Sequence, residues 1–337
     1  MTKEYNIAIL GATGAVGEMI IEVLEERNFP VQNLFLLASK NSAGKTLQFK
    51  GKSIRVENVE EFDWNKAEIA IFSAGGSVSE KWAPIAAMNN VVVIDNTSQF
   101  RYDDQVPLII PEVNPEDMSA YTNKNIIANP NCSTIQMLVA LKPIYDLYGI
   151  DKINVSTYQS VSGAGKSAIN ELAGQTANLL NSKELEKNVF SDQIAFNCIP
   201  QIDVFMENGY TKEEMKMVWE TKKILNDFEI SVNATCVRVP VFFGHSESVN
   251  IETNYPFDIE QVKDLMRDSQ YIKFFEDDEF PTQVTHGANQ DLVMVGRLRK
   301  DLDNENGLNL WVVADNIRKG AATNSVQIAE LLINQYL

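Results

Sequence analysis

The N-terminal segment contains the pattern that most restricts what this chain can fold into. The apolar run Tyr5–Leu10 has the composition of a buried strand, and it leads directly into a glycine-rich turn, Gly11–Gly17. The next segment, Glu18–Arg27, has apolar residues at helical spacing and predicts a helix. A strand, a glycine turn and a helix in this order form the site at which a dinucleotide pyrophosphate binds. The segment therefore predicts a Rossmann-like dinucleotide-binding domain.

The glycines of this turn have the spacing G-x-x-G-x-x-G, and each has a separate use. Gly11 permits the tight turn, Gly14 lets the backbone approach the pyrophosphate, and Gly17 lets the helix pack closely on the strand. A glycine turn that binds nothing is the alternative, and the flanking strand and helix make it the weaker one. The predicted cofactor contacts here are Gly11, Thr13, Gly14, Ala15 and Val16.

The end of the second predicted strand, Asn33–Ala38, indicates which dinucleotide binds. In folds that bind NAD, an acidic residue at this point often holds the ribose 2′-hydroxyl. Here the strand is followed by Ser39, Lys40 and Ser42, with no carboxylate. Hydroxyl groups and a lysine suit a 2′-phosphate, which a carboxylate would repel, although a solvated loop has a similar composition. The sequence therefore predicts NADP as the cofactor and these three residues as contacts.

Short apolar runs and helical patterns continue to alternate through the first part of the chain. The runs are Ala67–Phe72, Asn90–Asp95 and Ile126–Ala128. This alternation predicts a doubly wound parallel sheet, which makes the chain an α/β protein. The first run leads into a glycine pair, and glycine at the end of a strand allows close approach of a cofactor. The predicted contacts at this point are Ser73, Ala74 and Gly75.

The segment Asn129–Thr134 is the strongest candidate for chemistry. It lies between an apolar run and a long amphipathic segment, which predicts a strand, a tight turn and a helix with Cys132 at or near the helix N-terminus. The unpaired N–H groups and the positive end of the helix dipole favour a thiolate there, and they can also donate to an oxyanion. A small buried cysteine beside a turn is the alternative reading of Cys132 alone.

Beyond this helix the pattern changes, with longer strands that do not alternate regularly with helices. The predicted strands are Lys152–Tyr158, Ser231–Pro240, Glu247–Thr253, Leu292–Arg299 and Asn309–Val313, the last two forming a hairpin. The predicted helices are Ser167–Leu180, Thr211–Leu225, Asp258–Asp268 and Asn316–Asn334. Residues 181–208 have no clear pattern. His245 is expected just before the strand that starts at Glu247.

Composition excludes several classes of function. A chain of 337 residues is long enough for two domains, and its net charge of −17 argues against a nucleic-acid or anionic-membrane surface. No apolar run is long enough to cross a membrane, and no signal peptide is expected. Three dispersed cysteines and two distant histidines predict no metal site and a reducing, cytoplasmic location. His286 has no predicted role.

These motifs together resemble aspartate-β-semialdehyde dehydrogenase. The resemblance is carried in the family's order by the glycine turn, Ser73–Gly76, Asn129–Thr134, Arg238–His245 and Asp315–Asn324. It implies a Rossmann-like NADP-binding domain formed by residues 1–130 and 315–337, to which a C-terminal helix returns. It also implies an α+β catalytic and dimerisation domain formed by residues 131–314, and a homodimer or a dimer of dimers.

The resemblance implies the NADPH-dependent reductive dephosphorylation of L-aspartyl-4-phosphate to L-aspartate-4-semialdehyde. This step belongs to the biosynthesis of lysine, threonine, methionine, isoleucine and diaminopimelate. The Cys132 thiolate would form a thioester, because covalent catalysis divides one difficult step into two easier ones. His245 would act as acid and base, and Gln159 would orient the acyl oxygen.

The resemblance also implies contacts for the charged groups of the substrate. Arg238 would bind the carboxylate, Glu220 the ammonium, and Arg101, Asn131 and Lys223 the phosphate. Read alone, Glu220 and Lys223 are a one-turn surface ion pair of little energetic value. Residues near the nicotinamide would be Ser162, Gly163 and Asn324. The family often has arginine where this chain has Lys40, so the strictness of NADP over NAD stays open.

Two alternatives remain open from the residues. An N-acetyl-γ-glutamyl-phosphate reductase uses the same thioester chemistry, but its substrate has a blocked amine and needs no carboxylate partner such as Glu220. A dinucleotide-binding sensor without turnover would be expected to lack Cys132 or His245, and both are present.

Overall fold

The computed structural model describes residues 3–337 of the chain. Its strands are β1 (Tyr5–Leu10), β2 (Val31–Ala38), β3 (Thr46–Phe49), β4 (Lys52–Asn58), β5 (Ile69–Phe72), β6 (Val92–Asp95), β7 (Ile126–Ala128), β8 (Lys152–Gln159), β9 (Ser231–Arg238), β10 (His245–Glu252), β11 (Ile272–Phe274), β12 (Val293–Lys300) and β13 (Gly307–Ala314). Its α-helices are α1 (Ala15–Glu26), α2 (Gly76–Met88), α3 (Cys132–Tyr148), α4 (Lys166–Leu180), α5 (Lys212–Leu225), α6 (Ile259–Asp268) and α7 (Thr323–Gln335). The described residues form two compact units, one of residues 3–131 and 321–337 and one of residues 132–320.

The first unit is built on a seven-stranded sheet with the order β3-β4-β2-β1-β5-β6-β7. Its strands pair in parallel, apart from the antiparallel pair of β3 and β4. β1 and β5 lie at the centre and are apolar except for Asn6 of β1, because a parallel strand covered on both faces buries nearly every side chain. This confirms the predicted α/β class and the doubly wound sheet.

Two features of the first unit differ from the sequence prediction. The β3–β4 hairpin was not predicted: polar and apolar residues alternate there as in a half-buried strand, but each run is short and the turn, Lys50–Gly51, resembles an ordinary loop. The final helix begins at Thr323 rather than Asn316, because residues 318–322 form a wider π-helical turn first. The helix then packs on α1, and Arg27 donates to both carboxyl oxygens of Glu330 at 2.8 and 2.7 Å.

The second unit is built on a six-stranded sheet with the order β11-β12-β13-β10-β8-β9. β10 is antiparallel to both β8 and β13, whereas β8 and β9 are parallel. Helices α3 and α5 pack together, and each contacts this sheet. The predicted hairpin is confirmed as β12 and β13. His245 is the first residue of β10 rather than a residue before the strand, which fixes its side chain by the register of the sheet.

The helix α5 shows how local sequence fixes an end of an element. Thr211 caps the helix by accepting from the Glu214 backbone N–H at 3.3 Å, and the Glu214 carboxylate accepts from the Thr211 N–H at 2.7 Å. This reciprocal capping box satisfies two N–H groups that a helix N-terminus leaves unpaired. The predicted helix is thereby confirmed, and its first turn is held in a buried position.

Residues 181–208 contain no helix and no strand of the sheets, in agreement with their unpatterned sequence. Part of the segment is held by Glu171 of α4, whose carboxylate accepts from the backbone N–H groups of Asn188, Val189 and Phe190 at 2.8, 2.6 and 3.3 Å. Across residues 3–337, no helix combines the length and apolarity that crossing a bilayer requires.

The glycine turn gives a test of the fold. A Cβ atom at Gly17 would lie 2.2 Å from the Gly11 carbonyl oxygen, which is part of the backbone and cannot rotate away. We therefore expect Gly17→Ala to lower the free energy of unfolding by about 1–3 kcal/mol, measured by urea unfolding. A suitable control is Gly174→Ala in α4, where a Cβ would meet nothing within 4 Å. The helix propensity of alanine should make that variant as stable as the wild type or up to about 1 kcal/mol more stable. Equal effects of the two substitutions would contradict this account of the turn.

Candidate active site

Three predicted site residues form one row across the second sheet. In the strand register, Gln159 of β8 is opposite His245 of β10 on one side and Arg238 of β9 on the other. All three side chains are buried. Side chains at paired positions project from the same face of a sheet, so the register alone brings these groups together.

The hydrogen bonds of His245 determine which ring nitrogen has the proton. The backbone N–H of Ser160 donates to Nδ1 at 3.1 Å, so Nδ1 is an acceptor and the neutral ring has its proton on Nε2. Burial lowers the pKa of His245 to about 3, and the positive charge of Arg238 lowers it further, which keeps the ring neutral at pH 7. The ring is therefore a hydrogen-bond donor at Nε2.

The side chain of Gln159 presents a second donor beside this one. Its Nε2 atom donates to a carboxyl oxygen of Glu213 at 3.1 Å and lies 3.4 Å from His245 Nε2. Both nitrogens bear hydrogen in the assigned tautomer, so they do not bond to each other. Its Oε1 atom accepts from the Thr157 hydroxyl at 3.0 Å, which fixes the orientation of the amide. The result is a pair of adjacent N–H donors.

Asn316 holds the segments on both sides of His245. Its Oδ1 atom accepts from the Gly244 backbone N–H at 2.9 Å and from the Ser160 hydroxyl at 3.1 Å. Ser162 is in the same network, with its hydroxyl 3.0 Å from Asn316 Nδ2. Neither Ser160 nor Asn316 was predicted as a site residue. Asn316 lies in the segment Asp315–Asn324 that carries the family resemblance, but no local pattern indicates a role for either residue, since both act through contacts distant in sequence.

Arg238 lies against a glycine of the turn 161–164. Its guanidinium donates to the Ser160 carbonyl oxygen at 2.7 Å. A Cβ atom at Gly163 would lie 3.1 Å from a guanidinium nitrogen and 3.4 Å from His245 Nε2, so glycine leaves the room that both groups occupy. Burial lowers the pKa of Arg238, while the charges of Glu213 and Cys132 oppose that shift. The structure therefore places the Cys132 sulfur and the guanidinium within electrostatic reach of each other.

Cys132 is the first residue of α3, which confirms its expected place at a helix N-terminus. Its side chain is half-buried, and it takes part in no disulfide. A Cβ atom at Gly320 would lie 2.6 Å from the Cys132 Cβ, so the backbone of residue 320 forms one wall beside the cysteine. One turn further along α3, Gln136 Nε2 donates to the His245 carbonyl oxygen at 3.4 Å and links the helix to β10.

The acidic and basic groups nearest this row are Glu213 and Lys216, which the sequence analysis did not select. Glu213 accepts from Gln159, and its other carboxyl oxygen lies 2.9 Å from Lys216 Nζ. Burial alone would lower the pKa of Lys216, but Glu213 and Asp203 outweigh it, so the net shift is upward and the amine stays charged. The pair occupies the first turn of α5, beside the row formed by Gln159, His245 and Arg238.

The predicted pair, Glu220 and Lys223, lies elsewhere on α5. Glu220 is seven residues, or about 10 Å, beyond Glu213 along the helix axis. Both pairs have the sequence pattern Glu-x-x-Lys, and seven residues is close to two full turns, so both lie on the same helix face. The pattern therefore does not distinguish the two pairs, and the contact of Glu213 with Gln159 makes Glu213 and Lys216 the alternative pair.

The predicted cofactor residues of the first unit surround a cavity of about 620 Å³. The residues that line it include Gly11, Thr13, Gly14, Ser39, Lys40, Ser42, Ser73 and Ala74. Ala15 and Val16 open α1, whose N-cap is Gly14 and has no side-chain cap. Gly75 precedes α2 with φ = 102°, a conformation that favours glycine. This donor set fits a dinucleotide, because backbone N–H groups at a helix N-terminus and a lysine suit phosphates.

Three further predicted residues also lie in the first unit. Arg101 is buried and donates to the Asn96 carbonyl oxygen at 2.8 Å, and Asn131 is buried immediately before Cys132 in the chain. Asn324 of α7 donates to Asn129 Oδ1 at 2.7 Å, which ties the last helix to the segment that leads to the cysteine. Ser162 and Gly163 belong to the second unit.

Comparison with known proteins gives matches along nearly all of the chain. Residues 6–121 match the family model for the semialdehyde dehydrogenase NAD-binding domain, and residues 141–319 match the model for the semialdehyde dehydrogenase dimerisation domain. Aspartate-semialdehyde dehydrogenase 2 of Vibrio cholerae is 66% identical over 336 residues, covering 100% of both chains. The aspartate-semialdehyde dehydrogenase of a Shewanella strain is 64% identical, with the same coverage. A crystal structure of the Vibrio cholerae aspartate semialdehyde dehydrogenase II, complexed with ASA, superimposes with a TM-score of 0.99 at 65% identity and 100% coverage of both chains.

The neutral state of His245 should make the free energy of unfolding depend on pH in the acidic range. Below pH 6.5 the unfolded chain binds a proton on this histidine, whereas the folded chain does not until about pH 3. Stability is therefore lost as the pH falls through this window, by at most about 1.4 kcal/mol for each pH unit. His245→Asn offers Oδ1 as a substitute acceptor for the Ser160 N–H and cannot titrate. Between pH 6.5 and 4.5, we expect the unfolding free energy of the wild type to fall more steeply than that of the variant. Parallel curves would contradict the assignment.

Proposed function

The chain belongs to the aspartate-semialdehyde dehydrogenase family, and we propose that it converts L-aspartyl-4-phosphate to L-aspartate-4-semialdehyde with NADPH, releasing phosphate. The supporting observation is that a cysteine at a helix N-terminus lies within electrostatic reach of Arg238, beside two N–H donors. The relatives favour this function over an N-acetyl-γ-glutamyl-phosphate reductase or a sensor without turnover. The step belongs to the biosynthesis of lysine, threonine, methionine and isoleucine.

Cys132 is the proposed nucleophile. Its thiolate attacks the acyl carbon, the C–O bond to phosphate breaks, and phosphate leaves with the electron pair, giving a thioester on the sulfur. The charge of Arg238 and the N–H groups at the start of α3 favour the thiolate. In the second half of the reaction the thioester carbonyl gains a hydride and the carbon–sulfur bond then breaks, which regenerates the thiolate and gives the aldehyde.

Oxyanion stabilisation is the role that the geometry favours for His245 and Gln159. Both tetrahedral species place negative charge on the acyl oxygen, and two adjacent N–H donors can bind that oxygen. A neutral imidazole with its proton on Nε2 can donate there, but it cannot accept a proton there. This narrows the predicted acid–base role of His245 to hydrogen-bond donation at Nε2.

The charged groups of the substrate have proposed partners in each unit. Arg238 binds the carboxylate, and Glu213 replaces Glu220 as the partner of the ammonium because it contacts Gln159. Lys216 replaces Lys223 as a phosphate ligand by the same argument. Arg101 and Asn131 keep their predicted phosphate contacts. These local cations compensate for the strongly negative net charge, which would otherwise disfavour an anionic substrate.

The first unit binds a pyridine nucleotide, and we propose that this nucleotide is NADP. Reduced nicotinamide supplies the hydride when it is bound. Lys40, Ser39 and Ser42 line the cavity at the end of β2 and are the proposed ligands of a 2′-phosphate. Ser162, Gly163 and Asn324 keep their predicted places near the nicotinamide. The first unit, with residues 321–337, is the proposed cofactor domain, and residues 132–320 are the proposed catalytic and dimerisation domain. The predicted boundary at residue 315 moves to 321, because Asn316 and Gly320 contact residues of the second unit.

The chain carries a dimerisation domain. We propose that it forms a homodimer or a dimer of dimers. The proposed location is the cytoplasm, where thiols stay reduced and amino-acid precursors are made.

The nucleophile is tested by substitution of two cysteines. We expect Cys132→Ser to lower the phosphate-dependent formation of NADPH from aspartate semialdehyde and NADP by more than about 10³-fold, because no thioester forms. Cys198→Ser is the matched control, since Cys198 is exposed and lies outside the row. Substituting NAD for NADP in the same absorbance assay measures the cofactor preference. A folded wild type without turnover, or an active Cys132→Ser, would contradict the proposal.

The ammonium partner is tested by substitution of two glutamates on one helix. Glu213→Gln removes the proposed charge–charge contact, so kcat/KM for aspartate semialdehyde should fall by about 10- to 100-fold. Glu220→Gln removes a buried carboxylate of the same helix face two turns away and should change kcat/KM by less than about threefold. Steady-state kinetics on both variants measures the two losses in kcat/KM. A larger loss for Glu220→Gln than for Glu213→Gln would support Glu220 and Lys223 as the substrate contacts.

A further inference from the structure

A second row of side chains lies directly beneath the proposed active-site row. In the strand register Thr157 is opposite Glu247 of β10 on one side and Cys236 of β9 on the other, two residues behind the row of Gln159, His245 and Arg238. Both rows are on the same face, because alternate residues of a strand share a face and the Thr157 hydroxyl bonds to Gln159. Glu247 is therefore about 7 Å along the strand from His245.

Glu247 is a carboxyl group for which the proposed reaction has no use. It is completely buried, and neither of its carboxyl oxygens receives a hydrogen bond. A buried carboxylate without donors or a cation is very costly, and such groups take up a proton instead. Glu171 shows the contrast within the same unit, since its carboxylate accepts three backbone N–H groups.

The side chain of Gln136 supplies the counterpart of Glu247. The two side chains are in contact, and the Oε1 atom of Gln136 is also buried without a donor. If the Glu247 carboxyl group is protonated and donates to Gln136 Oε1, one proton satisfies both buried groups. The other end of the amide, Nε2, already donates to the His245 carbonyl oxygen.

We propose that Glu247 is a neutral carboxylic acid that donates to Gln136 and thereby fixes the first turn of α3, with Cys132, against the start of β10, with His245. Glu247 is a positioning residue, acting through Gln136 rather than touching the substrate. The proposal rests on the function proposed above for Cys132 and His245. Gln136 is one helical turn from Cys132, so a shift of its amide moves the sulfur relative to the two N–H donors.

The surrounding charges agree with a neutral group. Burial raises the pKa of Glu247 well above its ordinary value, and the contact with Gln136 opposes this only in part. Burial and the charges of Glu213 and Glu214 raise the pKa of Cys236, which lies in the same row as Glu247, and an ionised Glu247 would raise it further. Ionisation of Glu247 would add a negative charge to these carboxylates and would oppose a thiolate at Cys132, which is one helical turn from Gln136.

Infrared difference spectroscopy tests the protonation state directly. We expect the wild-type minus Glu247→Gln spectrum at pH 7 to contain the carbonyl stretch of a protonated carboxyl group. Glu171→Gln is the matched control, because it removes a buried carboxylate of the same unit that accepts three backbone N–H groups, and its difference spectrum should lack that band. A carboxylate band lost in Glu247→Gln would overturn the proposal.

Alkylation of Cys132 with iodoacetamide tests the ionisation of Glu247 a second time and needs neither substrate nor cofactor, so it does not depend on the proposed reaction. The positioning role is tested by kcat. Glu247→Gln preserves a neutral donor, so the midpoint of its alkylation rate against pH should match the wild type within about 0.3 units, and kcat should change by less than about threefold. Glu247→Leu removes the donor and should lower kcat by about tenfold or more. A lowered midpoint in Glu247→Gln would show that the native residue is ionised, and wild-type kcat in a folded Glu247→Leu would show that it positions nothing. If Glu247→Leu does not fold, the Glu247→Gln midpoint and the infrared band still decide the question.

Discussion

The register between β8, β9 and β10 is the constraint on which the proposed site depends. It places Gln159 opposite both His245 and Arg238, and no loop has to be positioned for these three side chains to meet. A slip of one residue in any of the three strands would turn one group to the opposite face of the sheet. The same register places a second polar row behind the first, so the chemistry and its support are set by one set of backbone hydrogen bonds.

In this row, His245 and Arg238 are held by backbone atoms. Ser160 is the clearest example, since its N–H fixes the tautomer of His245 and its carbonyl oxygen holds Arg238. Asn316 in turn fixes Ser160 and Gly244 from a segment far along the chain. Groups held in this way need little rearrangement when charge develops, which is the property that makes electrostatic stabilisation effective.

The sequence was most informative where local patterns decide structure. Strands β1 and β5, the capped helix α5 and the position of Cys132 at the start of α3 all follow from periodicity, capping and glycine spacing. The sequence was least informative where contacts between residues distant in the chain determine which side chains form the site. The choice between Glu213 and Glu220 depends on which helical turn lies beside Gln159, and a seven-residue repeat hides that difference. The hairpin of β3 and β4 and the late start of α7 were missed because neither has a strong local signal.

The contact of Gly320 with Cys132 has a consequence for the order in which the protein becomes functional. The cysteine is synthesised early, but one of its walls is backbone near the C-terminal end of the second unit, where even a methyl group would collide. Asn316, which holds both sides of His245, also belongs to this late segment. A nascent chain on the ribosome therefore contains Cys132 long before the residues that surround its side chain have been synthesised. The site is completed only in the last stage of synthesis, and a chain truncated before residue 316 has its reactive thiol without the environment that directs it.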